Sequence, residues 1–144
     1  MSAFALHPQL VADTLPGAAL GLSEARILND SRWPWVVLVP RRAGARELHD
    51  LALSDRAVLM EEIAAVSAAL AALPGVAKVN VGALGNIVPQ LHVHVIGRAP
   101  GDPAWPGPVW GVAGKVGYLP GEDAELVGVL GRIAPLRPGG PPPP

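Results

Sequence analysis

Gln90, Leu91, His92, Val93, His94 and Val95 set three polar side chains at alternate positions of an otherwise apolar run. Successive side chains of an extended strand point to opposite faces, so Leu91, Val93 and Val95 share one face and Gln90, His92 and His94 the other. Residues two apart on a strand are spaced by about 6.5 Å, close enough for both histidines to approach a single phosphate group. An imidazole with an ordinary pKa of about 6.5 is mostly neutral at neutral pH and can act as a nucleophile. A second imidazole beside it can donate a hydrogen bond to a non-bridging oxygen, where negative charge gathers in the transition state. Two other readings of the pair stand beside phosphate chemistry. His92 and His94 could be ordinary polar residues on a solvent-facing strand, or two ligands of a zinc or non-haem iron ion. The metal reading needs further ligands; His49, Asp102 and Glu122 are available, but no spacing ties them to this strand, and Gln90 is a poor substitute.

The elements that must hold this strand can be read from periodicity and turn chemistry. Residues 20–28 roughly alternate, and residues 35–39 form a β-branched run bounded by Pro34 and Pro40, so both are predicted strands. Asn29-Asp30-Ser31-Arg32 between them reads as a turn, giving a hairpin. Residues 54–73 are predicted helical, with Ser54 as N-cap, Asp55 in the first turn, and apolar residues at 58, 59, 63, 66 and 70. Pro74-Gly75 ends that helix; strands are predicted over 76–83 and 89–97, with a loop at Gly85-Asn86. Two shorter helices, over about 7–13 and 121–132, have weaker signals because glycines interrupt the second. The pattern is an α+β fold: an antiparallel sheet of about five strands with one long helix on one face. Residues 1–135 are expected to form one domain, followed by a disordered Pro/Gly-rich tail over 136–144.

Composition narrows the functional classes. The chain has no cysteine, which removes disulfide and thiolate chemistry and fits a cytoplasmic location. With 11 basic and 12 acidic residues its net charge is −1, and no basic run marks a nucleic-acid polymer as partner. Neither a leader-like N-terminus nor a membrane-length apolar stretch is present, and the chain reads as soluble. Glycine-rich phosphate loops of the P-loop and dinucleotide types are also missing. Trp35 is expected in the core, whereas Trp105 and Trp110, in the Pro/Gly-rich segment 99–121, are candidates for a pocket wall or a dimer contact. Arg41, Arg42 and Arg46 are read as a solvated face, and His7 and His49 as structural or surface residues. Gly82 and Gly85 suit turns or close approach of backbone to a ligand.

The stretch from Asn80 to Arg98, Asn-Val-Gly-Ala-Leu-Gly-Asn-Ile-Val-Pro-Gln-Leu-His-Val-His-Val-Ile-Gly-Arg, resembles the histidine triad (HIT) family. That family's motif is His-φ-His-φ-His-φ-φ with φ apolar; its polar positions here are Gln90, His92 and His94, and Leu91, Val93, Val95 and Ile96 comply. The resemblance extends over about residues 20–110, taking in Leu28-Asn29-Asp30, the run from Trp35 to Pro40, and Glu47-Leu48-His49-Asp50-Leu51. The segment from Asp102 to Gly111 is similar to a bacterial subgroup described as diadenosine-tetraphosphate-hydrolase-like. The resemblance implies a homodimer that binds a purine nucleotide or dinucleotide and cleaves at the α-phosphorus through a nucleotidyl-histidine, with no cofactor. Carried over by position, His92 is the nucleophile, His94 an α-phosphate ligand and Gln90 the third member of the catalytic set. Asn80, Gly85 and Asn86 fall beside the phosphates or ribose, and Asn29 or Asp30 at the ribose hydroxyls. Two positions depart from the pattern. Gln90 can hydrogen-bond but cannot shuttle protons, and Ile87 stands where many relatives have a hydroxyl. The expected activity is hydrolysis of a dinucleoside polyphosphate or a nucleoside phosphoramidate; a nucleotide-binding or sensing module and a metal-dependent enzyme are the alternatives.

Overall fold

Trp35 to Pro40 is the hydrophobic run that the fold is built around. A strand covered on both faces reads as continuously apolar, and all six residues of this strand are buried. The computed structural model describes residues 3–135, so the predicted tail over 136–144 lies outside the described residues. In chain order the elements are α1 (Pro8–Asp13), β1 (Thr14–Ala19), β2 (Ser23–Leu28), β3 (Trp35–Pro40), a 3-10 turn (Leu48–Asp50), α2 (Leu53–Ala71), β4 (Lys78–Gly82), β5 (Val93–Arg98) and α3 (Ala124–Gly131). The five strands form one sheet in the order β1-β2-β3-β5-β4. Every neighbouring pair is antiparallel, as the α+β expectation requires.

The β2–β3 hairpin is present with Ile27 opposite Val36 and Ser23 opposite Pro40. β3 then pairs with β5, setting Val37 against His94, and β5 pairs with β4, setting His94 against Gly82. Arg26, Val37, His94 and Gly82 therefore form one row across four strands, all on the same face. The opposite face carries Ile27, Val36, Leu38, Val93 and Val95, packed against Val58, Leu59, Val66 and Leu70 of α2. Leu91 joins that core, so the apolar alternation 91-93-95 holds through the motif.

The histidine face is not left open. Leu10, Trp33, Trp35, Val37, Val39, Ile96 and Val109 form a second buried cluster on it, joined by Phe4, Leu6 and Trp110. Two covering segments, the N-terminal stretch and the loop near 102–112, bring these residues onto the sheet.

Several boundaries differ from the sequence reading, each for a physical reason. α2 starts at Leu53 with Ala52 as N-cap and no side-chain cap, so Ser54 lies inside the first turn instead of capping it. The helix start is held by Asp55, whose carboxylate accepts from Arg42 at 2.6 and 2.9 Å. Arg42 is thus an ion-pair partner of a buried carboxylate and not one of a row of solvated charges. Its C-terminus falls at Ala71, two residues before the predicted end. β2 begins at Ser23 because residues 20–22 turn, closed by Leu20 N–H donating to Ser23 O. β1 has no counterpart in the sequence reading: Pro16 and Gly17 hide its period, and a bulge there shifts the register between Pro16 and Ala18. β5 starts at Val93, so Gln90 and His92 precede the ladder that was expected to contain them. Among the described residues no helix is long and apolar enough to cross a membrane.

Candidate active site

His94 sits in the middle of the covered face, buried to 8% exposure. The indole N–H of Trp35 donates to its Nδ1 at 2.9 Å. An indole N–H can only donate, so Nδ1 must offer a lone pair and the ring proton resides on Nε2. The ring is enclosed by aromatics: Trp35 at 5.7 Å and Trp110 at 5.5 Å between centroids, both edge-on. Trp110 reaches it across Gly82, where a Cβ would stand 2.7 Å from Trp110 Cη2; only glycine leaves room for the indole. Burial, reinforced by the charge that His92 can carry, pushes the His94 pKa down to about 4. His94 is consequently a neutral hydrogen-bond donor through Nε2.

His92 has the complementary arrangement. Its Nδ1 lies 2.7 Å from Gln90 O. A carbonyl can only accept, so Nδ1 carries the proton and Nε2 keeps its lone pair. The two rings are 5.0 Å apart, centroid to centroid, at 66°. One imidazole thus presents a lone pair and its neighbour an N–H. His92 opens onto a cleft of about 270 Å³ between the 46–49 turn and the 83–85 loop, with Arg46, His49, Leu84, Gly85 and Gln90 among its walls. His49, which the sequence reading set apart from the motif, is therefore on the same cleft as His92. No spacing signals this, because 43 positions separate them and the turn that brings them together is set by Asp50, whose carboxylate accepts from the N–H groups of Arg46 and Glu47. Gly85, at φ +68°, turns the loop beside His92, and Asn86 follows it on the exposed surface.

The other candidates are distributed differently. Both polar ends of the Gln90 carboxamide are occupied by backbone: Oε1 accepts from His7 N–H at 2.8 Å and Nε2 donates to Ala5 O at 2.9 Å. Asn80 lies on the histidine face, and its Oδ1 accepts from Arg98 Nη1 at 2.8 Å. Arg98 is itself buried and paired with Asp102 at 2.8 and 3.0 Å, which holds the Asp102 carboxyl well below the usual range. Trp105 stacks over that guanidinium at 5.6 Å, so it stands by Arg98, whereas Trp110 stands by His94. Asn29 and Asp30 follow β2 and are engaged by the chain beyond residue 112. Asn29 Oδ1 accepts from Tyr118 N–H at 2.9 Å, and Asp30 pairs with Arg32 at 2.9 Å and accepts from Val116 N–H. Ile87 is 91% exposed at the loop surface. Among the described residues no group of three or more His, Asp or Glu side chains is placed to hold a metal ion. Asp102 is committed to Arg98, and Glu122 accepts from Leu119 N–H.

The HIT domain profile matches residues 19–101, more than half of the chain. The chain belongs to the histidine triad family. Three crystal structures of HIT proteins share its fold. The one from Sinorhizobium meliloti is 46% identical with a TM-score of 0.85, over 88% of this chain and 94% of that one. The one from Bradyrhizobium japonicum is 44% identical at TM-score 0.87, over 91% and 98%. The one from Marinobacter aquaeolei is 44% identical at TM-score 0.88, over 92% and 100%. No curated protein matches. Proteins of the HIT family are generally nucleotide hydrolases or transferases. The five-stranded antiparallel sheet with few helices is the architecture shared with these HIT structures.

Proposed function

We propose that this HIT protein hydrolyses a purine dinucleoside polyphosphate or nucleoside phosphoramidate at the α-phosphate in two displacements. In the first, His92 Nε2 attacks the α-phosphorus, a P–N bond to the histidine forms, and the bond to the leaving group breaks. In the second, water attacks the same phosphorus, the P–N bond breaks, and nucleoside monophosphate leaves. The observation that carries this reading is the complementary pair of ring states: a lone pair on His92 Nε2, fixed by Gln90 O, beside an N–H on His94 Nε2, fixed by Trp35. His94 then donates to a non-bridging oxygen as charge builds there. Gly85 and Asn86 border the phosphates, with Asn80 and one of Asn29 and Asp30 as further nucleotide ligands. The reading also takes the protein as cytoplasmic and homodimeric, with the exposed edge of β4 as the dimer surface.

Intact-mass measurement of protein quenched during turnover of a panel of adenylated and guanylated substrates tests the mechanism. A nucleotidyl increment is expected in the wild type and none in His92→Ala. Unchanged turnover by His92→Ala would overturn it. A second reading, nucleotide binding with negligible catalysis, is favoured by Gln90, whose carboxamide is taken by backbone, and by Ile87, which supplies no hydroxyl. Mononucleotide binding by calorimetry, together with no monophosphate release from any member of the panel, would select it.

A further inference from the structure

Gln90 occupies the first polar position of the triad motif and lines the His92 cleft, but both polar ends of its carboxamide are taken by backbone. Residues 90–92 precede β5, whose pairing with β3 begins at Leu38 opposite Val93. The carbonyl that fixes the His92 ring is therefore not held by the sheet ladder. Two other things hold it. Leu91 N–H donates to Ala45 O at 3.0 Å, and the Gln90 carboxamide is bound at both ends to the N-terminal chain, at His7 N–H and Ala5 O. A carboxamide carries one acceptor and a donor pair on one planar group, and so reads the edge of an extended backbone as a neighbouring strand would. An imidazole spreads its two nitrogens across a ring and does not match that edge. The N-terminal chain is in turn anchored, because Phe4 and Leu6 on either side of Ala5 pack into the core of the histidine face.

We propose that Gln90 is a positioning residue. Its side chain fastens residues 4–7 across the histidine face, and its main-chain carbonyl, steadied by that attachment, keeps His92 in the tautomer with a free Nε2. The N-terminal strap and the nucleophile are coupled through this one residue, and the first position of the motif serves here as a structural clamp.

The test has one arm independent of turnover. Nitrogen-15 spectra of the imidazoles are expected to show His92 protonated at Nδ1 in the wild type and a mixture of tautomers in Gln90→Met. On the proposed hydrolase reading, on which only the kinetic arm rests, Gln90→Met lowers kcat by about tenfold, the scale of one lost hydrogen bond. Gln90→His brings no gain. His7→Pro and His7→Ala both lose the imidazole that accepts from Gln9 N–H, and only His7→Pro also removes the backbone donor, at a residue whose φ of −57° suits proline; it is expected to reproduce the Gln90→Met spectrum. His7→Ala, which keeps that N–H, matches the wild type. A rise in turnover for Gln90→His, or a His92 tautomer unchanged in both Gln90→Met and His7→Pro, would overturn the proposal. Should the Gln90 variants fail to fold, the His7 pair decides it; should no substrate turn over, the spectra still do.

Discussion

His94 is held in one protonation state by what surrounds it. Protonating Nδ1 would set an N–H against the Trp35 N–H and place a charge in an aromatic enclosure, and both effects disfavour the cation. The folded pKa of about 4 lies below the unfolded value of 6.5. Above pH 6.5 both states are neutral and the contribution to stability is complete. Between pH 6.5 and 4 the unfolded chain takes up a proton that the folded one refuses, so stability falls; below pH 4 this group adds no further loss. Across that window the loss is about 3 kcal/mol at roughly 1.4 kcal/mol per unit. Urea denaturation should therefore show a lower unfolding free energy at pH 5 than at pH 7, by about 2 kcal/mol, with the difference largely removed in His94→Gln. Trp35→Phe, which removes the donor and keeps an aromatic ring, should move the His94 titration upward in an NMR pH series. Equal stability of the wild type at the two pH values would contradict a neutral buried His94.

At the level of the elements, one buried carboxylate of α2 ties the helix to the junction of β1 and β2. Glu62, 1% exposed, accepts from Leu22 N–H at 3.0 Å and from Ser23 N–H at 3.1 Å, two backbone donors where the turn after β1 enters β2. Glu62→Ala leaves both donors buried without partners, at about 1–3 kcal/mol each, and is expected to lower the urea midpoint by an amount equivalent to several kcal/mol. A change under about 0.5 kcal/mol, the size typical of surface substitutions, would show that water or a shifted turn replaces the carboxylate. Such a pin has no sequence signal, since 40 residues separate Leu22 from Glu62. β3, β5 and α2 were legible because their burial writes a local period: the all-apolar run after Pro34, the alternation at 91-93-95, the helical spacing at 59, 63, 66 and 70. β1 was not, because its pairing with β2 tolerates Pro16 and Gly17 at a bulge. Residue type and spacing revealed the histidines of the site. What fixes their tautomers came from 59 residues away for Trp35, and the partners of Gln90 from 83 and 85 residues away. Contacts of that separation leave no pattern in a single chain.

Considered as a whole, the molecule leaves one of its two sheet edges unguarded. β1 ends the sheet with Pro16, a bulge and α3 packed nearby, devices that discourage further strand pairing. β4 ends it with five regular residues, Lys78–Gly82, and an exposed Val81. Beside this edge lies an apolar groove of about 320 Å³, with Leu48, Met60, Ile63 and Val81 among its walls. Leu48, Met60 and Val81 are 49%, 62% and 49% exposed, a concentration of large apolar surface that a monomer would leave in water. On the proposed homodimer, a second copy of the chain pairing β4 with β4 about a two-fold axis would extend the ladder and cover the grooves of both copies at once. Sedimentation equilibrium is expected to give twice the 14.8 kDa chain mass for the wild type. The double substitution Val81→Lys, Met60→Glu, which puts charges on that edge and groove, is expected to give a monomer. Leu48 and Ala83 line both this groove and the His92 cleft. The same double variant should therefore weaken nucleotide binding, although it touches neither histidine. Wild-type protein that sediments as a monomer at micromolar concentration would remove β4 as a dimer edge. A dimer unaffected by the double substitution would place the contact elsewhere on the molecule.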